Sequence, residues 1–308
     1  ALLADTRGWA FDQNMRDLAA SLDKDFEFVH LFVGDKDFRA QAVEEFPRCH
    51  AVFACYHKWG IDDILPFDRT IGALRASRFH APANQPIGDA DLALVNRHAA
   101  FQVVTRQNEG ELASCPGVVY LTNPVEVRRF GNKSKVKGVV AAWNGNAGHA
   151  AGPVKDQKGI ATIIRPACEK AAVPLQVAEY TTSRLTPEEM PAFYRKASVY
   201  LCASLYEGAS NSVMEAMAAG LAVVATDVGN HREMVESQIR HLGDTGILLV
   251  DRTPDAFAQA LDALKADPGR AQEMGKLNSK EIKERWSWTA WKGRYRDVLR
   301  RVAGIEAP

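Results

Sequence analysis

The 308-residue chain has no net charge: 38 Lys and Arg stand against 38 Asp and Glu. A neutral chain has no global attraction to nucleic acid or to an anionic membrane, and no basic stripe points to either. The balance is slightly uneven. Residues 1–132 hold 14 Lys and Arg against 18 Asp and Glu, and the remainder 24 against 20. The mildly basic second half suits a small anionic ligand. No run of eighteen apolar residues occurs, so no membrane-spanning helix is expected. Nothing N-terminal reads as a signal peptide. The chain opens on an apolar stretch without a starting Met, and a few native residues are expected before it. Cysteines are few and unpatterned. Cys49, Cys55, Cys115, Cys168 and Cys202 have no zinc-like or redox spacing. Cys55 and Cys202 lie in apolar runs and read as buried thiols. An odd count points to a reducing compartment and a cytoplasmic location. No G-x-G-x-x-G follows a strand, which excludes a dinucleotide oxidoreductase. Repeats and low-complexity tracts are absent too.

Ordinary composition, with 46% hydrophobic and 25% charged residues, suffices for a sizeable core in one large or two ordinary domains. Short apolar runs alternate with helical patterns. Strands are expected at Ala1–Asp5, Phe26–Val33, Ala51–Tyr56, Phe101–Thr105 and Val118–Leu121, with a helix at Asn14–Leu22. The polar, basic segment 130–138 reads as a linker. A second series follows it, with strands at Val139–Trp143, Leu175–Glu179, Val199–Ser204, Ala222–Thr226 and Ile247–Val250. Helices are expected at Gly159–Ala172, Pro187–Lys196, Asn211–Ala219 and Pro254–Lys265. Continuous apolar strands joined by helices make parallel sheets, so the pattern predicts two doubly wound sheets. Residues Glu273–Val302 read as one helix whose Trp286, Trp288 and Trp291 need a surface to dock on.

Chemistry concentrates in Ser204–Glu215, SLYEGASNSVME, between a strand and an Ala- and Met-rich helix. A helix start offers N–H groups and a positive dipole end to phosphate. Gly208, Ala209 and Ser210 leave the backbone approachable. Glu207 and Glu215 flank the turn. A local reading also exists: Ser212 and Glu215 have capping-box spacing, which would merely start the helix.

This segment resembles the E-x7-E signature of retaining, family 4-like glycosyltransferases of the GT-B fold. Glu207 and Glu215 are the two acids, and EAMAAGLAVVATDVGNHRE continues the likeness through helix, Gly turn and strand. The resemblance covers residues 139–290 well and the first half in outline. It implies two Rossmann-like, doubly wound parallel-sheet domains facing a cleft: residues 1–131 for the acceptor, with helix 288–304 packing back on them, and 132–287 for a nucleotide-sugar donor. It implies that Glu207 meets the donor sugar, that Glu215 holds the ribose, and that N–H groups near Ser210, Asn211 and Ser212 face the diphosphate.

A second match is WNGNAGHAAGPVKDQKG, residues 143–159, which puts Asn144, Gly145 and Asn146 in a loop near the donor and Lys158 on its diphosphate. The family often has Arg where Asn146 stands, so Lys155 is a candidate substitute. Leu185 is assigned to the donor site as well. In the first half Gly8, in DTRGWAF, partly matches a Gly-rich loop. Asn123–Phe130 resembles the exit from the first domain. The family places a His near the reacting sugar; His80 is the first candidate, then His57 and His98. The implied reaction moves a hexosyl group from a UDP-, GDP- or ADP-linked sugar to a sugar-containing acceptor with retention, needing neither cofactor nor metal. A non-catalytic nucleotide- or glycan-binding scaffold on the same fold is the alternative.

Overall fold

The computed structural model describes residues 1–56, 59–75, 86–131, 136–148 and 156–305. The chain divides into two compact units, 1–124 together with 288–308, and 125–287. The division falls after Pro124 and not near residue 131.

In the first unit, β1 (Leu2–Ala4), β2 (His30–Phe32), β3 (Val52–Ala54), β4 (Thr70–Leu74), β5 (Ala100–Val103) and β6 (Val118–Tyr120) form one parallel sheet in the order β2-β1-β3-β4-β5-β6. β4 is absent from the sequence reading because Gly72 interrupts its apolar run, and a strand-interior glycine reads as a break. The position needs glycine: a Cβ there would lie 2.6 Å from the His98 ring and 2.9 Å from Phe101. β2 is shorter than the predicted Phe26–Val33: residues 26–29 precede it outside the strand, with Val29 O accepting from Leu2 N–H at 2.8 Å.

The predicted C-terminal helix is in fact two helices, Pro268–Arg285 and Trp288–Ala303. Between them Trp286 adopts φ −127°, and its carbonyl accepts from the Val125 N–H at 2.9 Å. An isolated parallel bridge joins Val125 to Ser287, so the chain enters and leaves the second unit at adjacent points. The last helix belongs to the first unit's core: Trp288, Trp291, Tyr295 and Leu299 are buried there with Leu2, Met15, Phe53 and Phe101. Each such side chain stabilises by about 1.5–3 kcal/mol through its apolar area. The Tyr295 hydroxyl donates to the Thr122 carbonyl at 2.7 Å, which satisfies a polar group brought into the core.

In the second unit, β7 (Ala141–Gly145), β8 (Leu175–Glu179), β9 (Val199–Cys202), β10 (Ala222–Ala225) and β11 (Ile247–Leu249) make a parallel sheet ordered β11-β10-β9-β7-β8. β7, β9 and β10 are nearly all buried, as expected of apolar runs covered on both faces. Strand order reverses between β7 and β9. In open α/β sheets that reversal opens a crevice beyond the carboxyl ends of the two strands.

Candidate active site

Two loops meet at the second unit's reversal. One, residues 156–159, leads into the helical segment beginning at Ile160. The other, residues 203–210, connects β9 to the helix Asn211–Ala218. Backbone and side-chain bonds tie them together. Leu205 N–H donates to Gln157 O at 2.9 Å, and Gln157 Nε2 donates to Tyr206 O at 2.7 Å. Arg252 donates to Ala203 O at 2.8 Å and to Asp156 O at 2.9 Å. Gly159, at φ +70°, lets the loops touch: a Cβ there would lie 2.5 Å from Ala203 O. Asp156 accepts from Thr162 N–H at 2.7 Å and Ala161 N–H at 3.1 Å, which caps the following helical segment.

This lacing brings Lys158 Nζ to 2.5 Å from Glu207 Oε1. The same oxygen accepts from Ser204 Oγ at 2.6 Å. Burial opposes charge on both groups, yet each supports the other. The ammonium, helped by Ser204, holds the Glu207 carboxyl below its ordinary range, and the carboxylate holds Lys158 above its own. The pair is therefore ionised at neutral pH. An ammonium has three donors, so contact with Glu207 leaves Lys158 able to meet a second anion.

The Asn211–Ala218 helix starts from Ser210, whose carbonyl accepts the first helical bond, from Met214 N–H at 3.0 Å. The capping-box reading of Ser212 and Glu215 is thereby overturned, because the N-cap lies two residues earlier. Ser210 is 2% exposed, and its Oγ is buried with no hydrogen-bond partner. Such a hydroxyl is costly unless something meets it. Its N–H donates to Asn230 Oδ1 at 3.2 Å, while Asn230 N–H donates to Gly208 O at 3.0 Å. Gly229, at φ +59°, makes room for that exchange: a Cβ would lie 2.2 Å from Gly208 O.

Glu215 sits one turn into the helix. Its Oε2 lies 3.0 Å from the Tyr194 hydroxyl, which is also 3.0 Å from Asn144 Oδ1. Burial, and then the Glu215 charge, push the Tyr194 phenol far above its ordinary value, so it stays a donor. Asn144 and Gly145 end β7, and Asn146 accepts from Gly148 N–H at 3.0 Å in a local turn. The structure thus brings Lys158, Glu207, Gly208, Ala209, Ser210, Asn211, Ser212, Glu215 and Asn144 to one sheet end. Leu185 lies on the half-exposed loop after β8. Gly8 belongs to the first unit, where at φ +73° it donates to Asp12 Oδ2 at 2.7 Å. Sequence reasoning placed Ser204 in the key segment without a role, and missed Tyr194, Asn230 and Arg252. No local signal marks them, since each acts on a partner set beside it by the sheet.

His57, His80 and Lys155 lie outside the described residues. His98 does not serve the proposed role. It precedes β5, at the amino end of the strand, packed edge-on against Phe67 and Phe101 at 4.9 and 5.3 Å. Its Nδ1 lies 2.9 Å from Leu94 O, and burial lowers its pKa. Packing accounts for it fully. Among the described residues, no group of three His, Cys, Asp or Glu side chains is arranged to hold a metal ion, and no helix is long and apolar enough to cross a membrane.

Two parallel, doubly wound sheets with a helix start and an acid–lysine pair at a strand-order reversal define a GT-B architecture. Solved structures agree over nearly the whole length. Sucrose-phosphate synthase from Thermosynechococcus elongatus superposes with TM-score 0.72 at 15% identity, covering 98% of each chain. HepE of Anabaena, solved with UDP and glucose, gives 0.70 at 11% identity over 97% of this chain and 98% of its own. Residues 158–267, within the second unit, match the model of the family described as glycosyl transferases group 1. Curated relatives align over the same region. Alpha-maltose-1-phosphate synthase of Mycobacterium tuberculosis is 34% identical over 125 residues, 39% of this chain and 31% of the relative. D-inositol 3-phosphate glycosyltransferase of Streptomyces bingchenggensis is 33% identical over 103 residues, 33% of this chain and 21% of the relative. These alignments span about a third of the relatives' length or less.

Proposed function

We propose that the chain is a retaining glycosyltransferase that moves a hexosyl group from a nucleoside-diphosphate sugar to a sugar-containing acceptor, without a divalent metal and in the cytoplasm. The observation that carries this reading is the placement of Lys158, Glu207 and the unpartnered Ser210 hydroxyl at one helix start. In this reading the diphosphate faces the first turn of the Asn211–Ala218 helix. Its N–H groups and dipole favour an anion, and Ser210 Oγ gains the partner it lacks. Lys158 bridges a phosphate oxygen and Glu207. As the anomeric bond breaks, negative charge grows on the departing phosphate, and a lysine already in place stabilises it without reorganisation. Glu207 accepts from hydroxyls of the sugar. Glu215, oriented by Tyr194, holds the ribose. The proton of the acceptor hydroxyl passes to the leaving phosphate, so no strong protein base is required, unlike the paired carboxylates of glycoside hydrolases. The UDP bound in the structure of HepE accords with such a donor.

The test is a melting-temperature series with UDP, GDP and ADP, each with and without EDTA. A ligand that binds only the folded chain raises the midpoint, by about 2.7 kcal/mol of stability at a hundred times its dissociation constant. One of the three is expected to stabilise the chain equally with and without chelator. If none does, or only with magnesium, the donor site is wrongly assigned. A nucleotide that binds without any turnover of its sugar conjugates would favour the scaffold reading.

A further inference from the structure

Arg75 is the first residue beyond the carboxyl end of β4 in the first unit. It is half-buried, and its Nε is buried with no hydrogen-bond partner. Its Nη1 donates to Asn123 Oδ1, and its Nη2 lies 3.8 Å from Cys55 Sγ. The guanidinium carbon lies 5.7 Å from the Phe11 ring and 5.9 Å from the Phe53 ring. All four neighbours are neutral. Burial pushes the Cys55 thiol up to about 12, so it supplies no negative charge. Two acids, Asp5 and Asp12, lie near Cys55, and the Asp5 Oδ1 is buried without a hydrogen-bond partner. Asp12 accepts from Gly8 N–H and Arg16 Nε, at 2.7 and 2.8 Å, and burial raises the Asp5 carboxyl.

A guanidinium stays charged, and a partly desolvated charge without a counter-charge is costly. Two other half-buried arginines, Arg296 and Arg300, share Asp25 at 2.9 and 3.4 Å, whereas no acid among the described residues forms an ion pair with Arg75. Arg75 lies at a strand end where open α/β sheets take their ligands. The first sheet also reverses its order, between β1 and β3, and Asp5, Cys55 and Arg75 are the residues next beyond β1, β3 and β4. Phe11 lies in the first turn of the helix Ala10–Ser21, whose positive end faces the same crevice.

We propose that Arg75 receives an oxyanion of the acceptor, a phosphate or a carboxylate, by its planar fork of donors. This rests on the glycosyltransferase reading for the word acceptor; the anion site itself does not. The second unit holds its own phosphate cradle, so the Arg75 anion is a second one, and the acceptor is an anionic sugar and not a neutral one.

The test observes Arg75 directly. The Nε–Hε signals of the wild-type chain are followed by nitrogen-15 NMR during titration with inorganic phosphate and, separately, sodium acetate. The Arg75 signal is assigned by its loss in Arg75→Lys or Arg75→Gln. A saturable shift is expected, with a midpoint of about 1–10 mM for a single small anion. A lower midpoint for phosphate assigns a phosphorylated acceptor, and a lower one for acetate a carboxylated one. A signal that stays still with both anions, or drifts linearly without saturating, overturns the proposal. Nucleoside-diphosphate stabilisation of Arg75→Gln is measured alongside and should match wild type. A responsive Arg75 with no nucleotide binding defeats the donor reading and leaves the anion site standing. Nucleotide binding with a silent Arg75 does the reverse.

Discussion

Lys158 and Glu207, 49 positions apart in sequence, form an ion pair of 2.5 Å at the carboxyl end of the second sheet. Glu207 is the less exposed partner, with 13% of its side chain accessible against 26% for Lys158. The lysine therefore has an open side from which an anion can approach, while the carboxylate is held by Ser204 from behind.

Glu207→Gln keeps the shape and loses the charge. In the proposed mechanism Glu207 meets the sugar and not the nucleotide. The variant should bind free nucleoside diphosphate nearly as wild type and lose kcat by about 10²-fold, on the order of 2.7 kcal/mol. Calorimetric binding of the nucleotide beside steady-state turnover checks this. A large loss of nucleotide affinity with kcat unchanged would reverse the roles of the two acids.

Glu215→Gln should weaken nucleoside-diphosphate binding by about 1–3 kcal/mol, chiefly as a raised KM. Because Ser210 and not Ser212 begins the helix, no cap is lost. A Gln carbonyl can still accept from Tyr194. The apo melting temperature should accordingly stay close to wild type. A strong fall in that temperature would show that Glu215 serves the helix after all.

Gly229→Ala places a methyl group 2.2 Å from Gly208 O and 2.9 Å from Glu207 Cβ. Left-handed backbone costs a non-glycine residue about 1–2 kcal/mol. Overpacking adds about 1–3 kcal/mol. Denaturant unfolding should show a loss in that combined range, and nucleotide affinity should fall with it as Gly208 and Ser210 are displaced. Wild-type stability in this variant would mean that the loop can shift freely.

The ion pair also sets a pH window. Glu207 is held below its unfolded value, so its stabilising contribution is complete above the unfolded carboxylate range, about 4.3. It is lost as pH falls through the lower folded value. Lys158 is held above its unfolded value of about 10.4. Its contribution is complete below that and lost as pH rises through the folded value. The stability difference between wild type and Glu207→Gln should thus be flat through neutral pH and shrink in acid. A difference that grows below pH 4 would contradict the pairing.

What the sequence by itself determined is local. Alternating apolar runs and helical patterns predict two parallel α/β halves, because burial on both faces leaves continuous apolar strands. The interval between Glu207 and Glu215 predicts two acids around one helix start, because a strand, a short turn and a helix leave little freedom. Strand order is different in kind, since any of these buried strands could neighbour any other. Only the tertiary structure sets β7 beside β9, and with it Lys158 against Glu207 and Arg252 across both loops. Only close approach explains Gly72 and Gly229, whose missing Cβ atoms make room for His98 and Gly208. Only packing breaks the last helix at Trp286, because a pairing with Val125 there outweighs helical propensity that would have run on unbroken. Long-range contacts of this kind carry no periodicity along the chain, and so leave no mark in it to read.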